Sequence, residues 1–486
     1  MRRLVHKRAL QALAVLLVVA TLGGCAASGP TRSADEFLEL QLQLDHSVLS
    51  DDQTEAVAML RLDASELPVG ARPPVSFALV IDASGSMEGQ KIEDARAAAI
   101  ALIDQLTPAD RLTVITFSEE AVVQVALGDG GEREEARDAI AAIEPLGNTC
   151  TSCGLTTAYE VLDESPSNML RRVVLLSDGH ANRGSTEAYQ LADLARWASQ
   201  DREISTATIG LGRLHNEDSM AQVASAGLAS YYFLHNSSQL AEILERELRL
   251  LHETVLTELA VRFKPGDGVQ ITGSPNTGFY YDNYDVIFSI GSMSVSQGLE
   301  LILELHLPPG DMGRLLFAEA TFSDVDGNTY EIETSVAASR SNDPDEVEQS
   351  RNPEVTIRYL SLEADEAAQA ALLEVQQGRH DLAVNRLTAM AELLNQNAEL
   401  LDSESLAERA SELIVMRDKL PIPVVNSLPQ NDYEDPYYYE MYQEMPAEDS
   451  GYLLNENARS NERRRGTPNE EVYHPAPASM DFSATQ

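Results

Sequence analysis

The sequence predicts an α/β fold: a doubly wound, mostly parallel sheet inserted into a β-sandwich, followed by a helical hairpin and a disordered tail. Two observations carry this expectation. Between residues 75 and 250, solid apolar runs alternate with amphipathic stretches, the pattern of a parallel sheet covered on both faces. Segments on either side alternate apolar and polar residues one by one and carry turn punctuation, the pattern of antiparallel strands.

In the central region, Val75–Ile81, Leu112–Phe117, Val173–Leu176, Ile204–Leu211 and Tyr231–Leu234 read as strands. Helical stretches separate them: Ile92–Leu106, Ala136–Ile143, Leu155–Leu162, Leu191–Ala198, a stretch near Ser219–Ser225, and Ala241–Leu250. Val122–Leu127, close behind the second strand, is expected as the lone antiparallel edge. Residues 253–338 form an all-β module punctuated by Pro265-Gly266-Asp267-Gly268 and Asp326-Gly327-Asn328. That module is expected to accept the early strands of residues 36–63, so that the α/β domain interrupts a sandwich.

The expected boundaries are 36–72 for the early strands, 73–252 for the α/β domain and 253–345 for the β module. Residues 353–420 are rich in alanine and leucine at helical spacing. Gly378 breaks the pattern, which predicts a helical hairpin. From 421 to 486 prolines, acids and tyrosines accumulate without apolar periodicity, so a disordered tail is expected.

Charge narrows the partners. With 35 basic and 78 acidic side chains, the formal net charge is -43. Such a surface repels phosphate backbones and attracts cations, which argues against nucleic acid. The first 25 residues read as a targeting segment: Arg2, Arg3, Lys7 and Arg8 precede a short apolar run, Ala12 to Leu22, that ends in Gly23-Gly24-Cys25. The alternative is a transmembrane anchor, but the run falls short of the ~20 apolar residues that a span needs. A cysteine after small residues resembles the lipobox of bacterial lipoproteins. That resemblance implies lipidation of Cys25, with residues 26–35 as a tether. It also implies a cell-envelope location, with an outer membrane favoured because Ala26 follows the cysteine.

Val80-Ile81-Asp82-Ala83-Ser84-Gly85-Ser86-Met87 lies where the first core strand ends, the edge of an open α/β sheet at which ligands bind. Asp82, Ser84 and Ser86 offer oxygen donors of the kind hard cations prefer. Two further stretches follow in order: Gly147-Asn148-Thr149 with Gly154-Leu155, and Leu176-Ser177-Asp178-Gly179 at the end of another strand. Together these resemble the von Willebrand factor A family and its metal-ion-dependent adhesion site, over about residues 75 to 250. Ile209-Gly210-Leu211-Gly212 and Tyr231-Tyr232-Phe233 look like the family's later segments.

Carried over to these positions, Ser84, Ser86 and Thr149 donate hydroxyl oxygens, while Asp82 and Asp178 hold the ion directly or through water. The ion is expected to be one divalent cation, Mg²⁺ with Mn²⁺ or Ca²⁺ as alternatives. Its open position would accept a carboxylate from a protein partner. Many relatives have Gly-Gly-Thr-Asn where this chain has Gly147-Asn148-Thr149-Cys150. Taken singly, each serine or aspartate could instead be capping a helix.

Cys150 and Cys153 form a C-x-x-C pair, read as a local disulfide or, alternatively, as a redox pair at a helix N-terminus. Asp324–Asn328 reads as a hairpin turn rather than a calcium loop. His180 could line the site, whereas His215 has no ligand-spaced companion. The motifs of nucleotide hydrolysis, zinc proteolysis and serine esterases are missing. The leading expectation is therefore a metal-dependent binding protein without catalytic activity. A structural assembly factor and, last, a metal-assisted hydrolase are the alternatives.

Overall fold

The computed structural model describes residues 33–420 except 66–72, 128–132, 213–216, 235–236, 276–277, 296–297 and 311–312. The targeting segment, Cys25, most of the tether, His215 and the tail from residue 421 lie outside the described residues. In chain order the strands β1 (Leu38–Leu44), β2 (Val48–Ser50) and β3 (Glu55–Ala64) come first. The central domain then runs β4 (Val75–Asp82), α1 (Gln90–Gln105), β5 (Arg111–Phe117), β6 (Ala121–Leu127), α2 (Arg133–Ala141) and α3 (Thr151–Asp163). It continues with β7 (Leu170–Ser177), α4 (Ala188–Arg202), β8 (Ile204–Leu211), α5 (Glu217–Ala226), β9 (Leu228–Leu234) and α6 (Leu240–His252).

The central sheet is six-stranded in the order β6-β5-β4-β7-β8-β9. All its neighbouring pairs are parallel except β5–β6, which is antiparallel. All eight residues of β4 are buried, as expected of a strand covered on both faces. Its side chains alternate between two cores. Phe77, Leu79 and Ile81 meet α1, α2 and α6, whereas Ala78 and Val80 meet α3, α4 and α5. α3 sits unusually close to the sheet because Gly154 has no side chain: a β-carbon there would stand 2.8 Å from both Phe117 Cδ1 and Val80 Cγ1.

The chain leaves α6 directly into β10 (Thr254–Pro265), then β11 (Gln270–Gly273), β12 (Tyr280–Asp282), β13 (Asp285–Ser294) and β14 (Gly298–His306). β15 (Arg314–Asp324), β16 (Thr329–Ala337) and β17 (Ser339–Ser341) complete the strands. One sheet has the order β1-β3-β14-β11 and its partner β12-β13-β10-β15-β16. The early strands thus pair with strands that lie beyond the central domain, and one core, including Leu60, Leu62, Phe263, Phe288 and Leu303, fills the space between the sheets. The short β2 pairs separately with β17. At the β15–β16 hairpin, Asp324 accepts from the amides of Asp326 (3.0 Å) and Asn328 (2.8 Å), so its carboxylate is engaged in the turn.

Residues 353–420 depart from expectation. They form three helices rather than a hairpin: α8 (Pro353–Gln376), α9 (His380–Leu401) and α10 (Glu404–Asp418), preceded by the short α7 (Pro344–Gln349). The break at Gly378 (φ 72°) is present, and a second follows at Asp402, whose left-handed backbone (φ 49°) ends α9. Ser403 then caps α10 by accepting from the Leu406 amide at 3.3 Å. α8 lies on the outer face of the first sandwich sheet, with Val355 and Leu362 against Met59 and Ile302. Phe233 of β9 packs against both the three-helix core and the α3–α5 layer, tying the helical module to the central domain. Among the described residues no helix is long and apolar enough to cross a membrane.

The close approach of α3 is open to test. Replacing Gly154 with Val is expected to overpack the interface with Val80 and Phe117 and to destabilise the protein by about 1–3 kcal/mol, read as a lower urea midpoint. An unchanged midpoint would contradict this packing.

Candidate metal centre

The chain passes from β4 outward to β5 and β6, then returns to the opposite side of β4 with β7. Strand order therefore reverses between β4 and β7, and a crevice opens at their carboxyl ends. The β4–β7 register pairs Ile81 with Leu176, so the next residues, Asp82 and Ser177, come level at the rim. Ser177 Oγ donates to Asp82 Oδ2 at 2.6 Å, and the Ser84 amide donates to Asp82 Oδ1 at 2.9 Å.

Beyond Asp82 the backbone turns through a single 3₁₀ turn, Gly85–Met87, before α1 begins. Ser84 Oγ lies 3.0 Å from Ser86 Oγ, and Ser86 Oγ donates to Asp178 Oδ1 at 2.7 Å. Asp82, Ser84 and Asp178 are buried, whereas Ser86 is exposed at the surface. Two carboxylates and two hydroxyls so line one end of the sheet in a connected series.

Thr149 stands on the neighbouring loop and is also buried. That loop is tied to the β4–α1 turn by the Leu146 amide donating to the Ala83 carbonyl (2.7 Å) and the Gly85 amide donating to the Gly147 carbonyl (3.3 Å). It is tied to the loop after Asp178 through Asn182, whose side chain accepts from the Thr149 amide (2.8 Å) and whose own amide donates to the Thr149 carbonyl (3.0 Å). Cys150 and Cys153 are joined by a disulfide across the first turn of α3. Ser152 Oγ accepts from the Ser185 amide at 3.0 Å, which lays the Asp178 loop over that turn. His180 is exposed.

Three contributors were not identified from sequence: Ser177, Asn182 and Lys91. Lys91 donates from Nζ to Asp178 Oδ2 and lies 3.4 Å from the Ser86 carbonyl. Ser177 closes a strand buried on both faces and Lys91 sits on a surface helix, so neither stands out by pattern. Asn182, in the loop after β7, carries no signal either.

Among the described residues no group of three or more His, Cys, Asp and Glu side chains gathers as a metal cluster. The donors here are oxygens from only two carboxylates plus hydroxyls, a set that suits a hard divalent ion retaining water. Two aspartates at one rim would balance such an ion's charge.

A parallel sheet with this turn at its switch point is the arrangement of a von Willebrand factor type A domain. Residues 77–246 match that family's model, and the chain carries such a domain. It is 30% identical over 212 residues to an uncharacterized protein of Synechocystis sp., covering 41% of this chain and 48% of that protein. Human inter-alpha-trypsin inhibitor heavy chain H4 is 28% identical over 214 residues, 37% of this chain and 23% of its own length. The chain thus spans less than half the length of these two relatives.

Among solved structures, a von Willebrand factor type A protein of Catenulispora acidiphila superposes with a TM-score of 0.67 at 18% identity, over 90% of this chain and 98% of that one. The ArnB paralog VWA2 of Sulfolobus acidocaldarius gives 0.52 at 19%, over 77% and 93%. At these identities the likeness is one of fold, and it extends beyond the central domain.

Burial pushes the Asp82 carboxyl up to about 6, against the lowering effect of its hydrogen bonds with Ser177 and Ser84, and the nearby Asp178 adds to the rise. The folded value exceeds the ordinary 3.8. Asp82 therefore favours folding at low pH and loses that contribution as pH rises through about 6. In the presence of chelator, stability is expected to fall between about pH 4 and 6 by up to about 3 kcal/mol. Asp82→Asn should flatten that slope in urea titrations at each pH. The same slope in the variant would assign it to other groups.

Proposed function

We propose that this protein is a metal-dependent protein-binding module of the bacterial cell envelope, held there by a lipid on Cys25. Domains of this family typically mediate protein–protein interaction or adhesion. The observation that carries the reading is the hydrogen-bonded series Asp82–Ser84–Ser86–Asp178 at the rim of the β4–β7 crevice.

In this reading Ser84, Ser86 and Thr149 supply hydroxyl oxygens, and Asp82 and Asp178 hold one divalent cation, Mg²⁺ in the first instance, directly or through water. Once bound, the ion supplies an electrophilic position for a carboxylate on a partner protein. Ser177 holds Asp82 in place, Asn182 holds Thr149, and the exposure of Ser86 leaves the rim open to a partner. The anchor follows from the basic start, apolar run and Gly23-Gly24-Cys25 of the sequence, with an outer membrane, facing the periplasm or the cell surface, as the location.

Mn²⁺ titration of the mature protein should reveal a single site and, at a hundredfold excess over the dissociation constant, a stabilisation of about 2.7 kcal/mol. Asp82→Ala should weaken binding by more than about tenfold and abolish Mg²⁺-dependent crosslinking to partner proteins. Partner capture that persists unchanged in EDTA would refute the metal-mediated reading.

The disulfide gives a second test. Cys150 adjoins Thr149, so reduction of Cys150–Cys153 is expected to weaken Mn²⁺ binding several-fold by loosening the loop. Identical affinities with and without reductant would reject that coupling.

A further inference from the structure

Lys91 is in the first turn of α1, where the helix dipole disfavours a positive charge. Its amine nevertheless reaches back over the β4–α1 turn to Asp178 Oδ2 and the Ser86 carbonyl. The end of the chain borders Gly212, just past β8. A β-carbon on that glycine would stand 3.7 Å from Lys91 Cε and 3.8 Å from Nζ. The ammonium thus lies across the mouth of the crevice, between the ends of β7 and β8.

The two partners differ in freedom. The Asp178 side chain is fully buried, while that of Lys91 is 36% exposed on a flexible stem. Asp178 is therefore fixed, with Oδ1 taken by Ser86 and Oδ2 by the lysine. Lys91 can turn into water once another cation takes over the charge of Asp178.

We infer that Lys91 is a tethered cation that competes with the divalent ion for Asp178 and so sets the affinity of the centre. This role rests on the metal-centre reading above. The ammonium neutralises the buried carboxylate until an ion enters, and it must then leave Oδ2 and remain nearby, repelled by the ion. A divalent charge and a lysine about 5 Å apart repel enough, even at the dielectric of water, to change affinity about tenfold.

The test is Mn²⁺ titration of the full chain, followed by the paramagnetic signal of free Mn²⁺, with thermal unfolding measured separately in EDTA. Lys91→Met and Lys91→Gln are expected to bind Mn²⁺ about tenfold tighter than the natural protein and to unfold at lower temperature in EDTA, because Asp178 loses its counter-charge. Lys91→Arg should stay within about twofold of the natural protein, since the charge is kept. Equal or weaker Mn²⁺ binding by the Met and Gln variants, with binding by the natural protein intact, overturns the role of Lys91 alone. Tightening by Arg as large as that by Met also overturns it. No Mn²⁺ binding by any of the proteins overturns the metal-centre reading together with this one.

Discussion

The rim of the sheet depends on the parallel pairing of β4 with β7. Because Ile81 is level with Leu176, Asp82 and Asp178 emerge from adjacent strands within a residue of each other. Two buried carboxylates this close repel, and burial together with the neighbouring Asp178 lifts the Asp82 carboxyl to about 6 even against its hydrogen bonds. The surrounding groups offset that cost: Ser177 and the Ser84 amide donate to Asp82, and Ser86 and Lys91 donate to Asp178. Nearly every polar feature of the crevice answers this one electrostatic demand.

The same pairing explains what was legible in the sequence. β4 and β7 had to be apolar on both faces, so Val75–Ile81 and Val173–Leu176 announced themselves as central strands. The aspartates stood out because each breaks an apolar run at its carboxyl end. Thr149 was found only by resemblance, since a threonine in a loop has no periodic signature. Ser177 and Asn182 act on other residues across long separations, 95 positions from Asp82 in one case and 33 from Thr149 in the other. Lys91 was hidden by its place on an amphipathic helix, where a lysine reads as surface.

The third helix of the C-terminal module was missed for a different reason. Gly378 announces a break because glycine readily takes positive φ, but the second break falls on Asp402. An aspartate there looks like one more polar position on a long helix. The following Ser403 was the available signal, as a serine ahead of an apolar-periodic stretch is a helix start. The module's exterior is acidic while its core is built from Ala364, Ala368, Leu387, Leu394, Ala410 and Leu413. Buried Arg409 and Asp365 meet inside it at 2.6 Å. That inward pair holds α10 to α8 through a contact the sequence pattern does not display.

The three loops of the crevice form a closed ring of ties. The β4–α1 turn holds the Thr149 loop through Leu146 and Gly85, the Thr149 loop holds the Asp178 loop through Asn182, and Asp178 returns to the turn through Ser86. In a closed ring no member can shift without straining two others, so geometry at any one donor is shared by all. The disulfide of Cys150 with Cys153 stiffens the link nearest Thr149. Gly184, with φ of +72°, allows the Asp178 loop to lie on that link, since a β-carbon there would stand 2.3 Å from Ser152 Oγ and 2.8 Å from Cys150 Sγ. Lys91 is the tie outside the ring. It touches Asp178 from the solvent side through a side chain alone, and can therefore be released while the backbone ties of the ring remain in place.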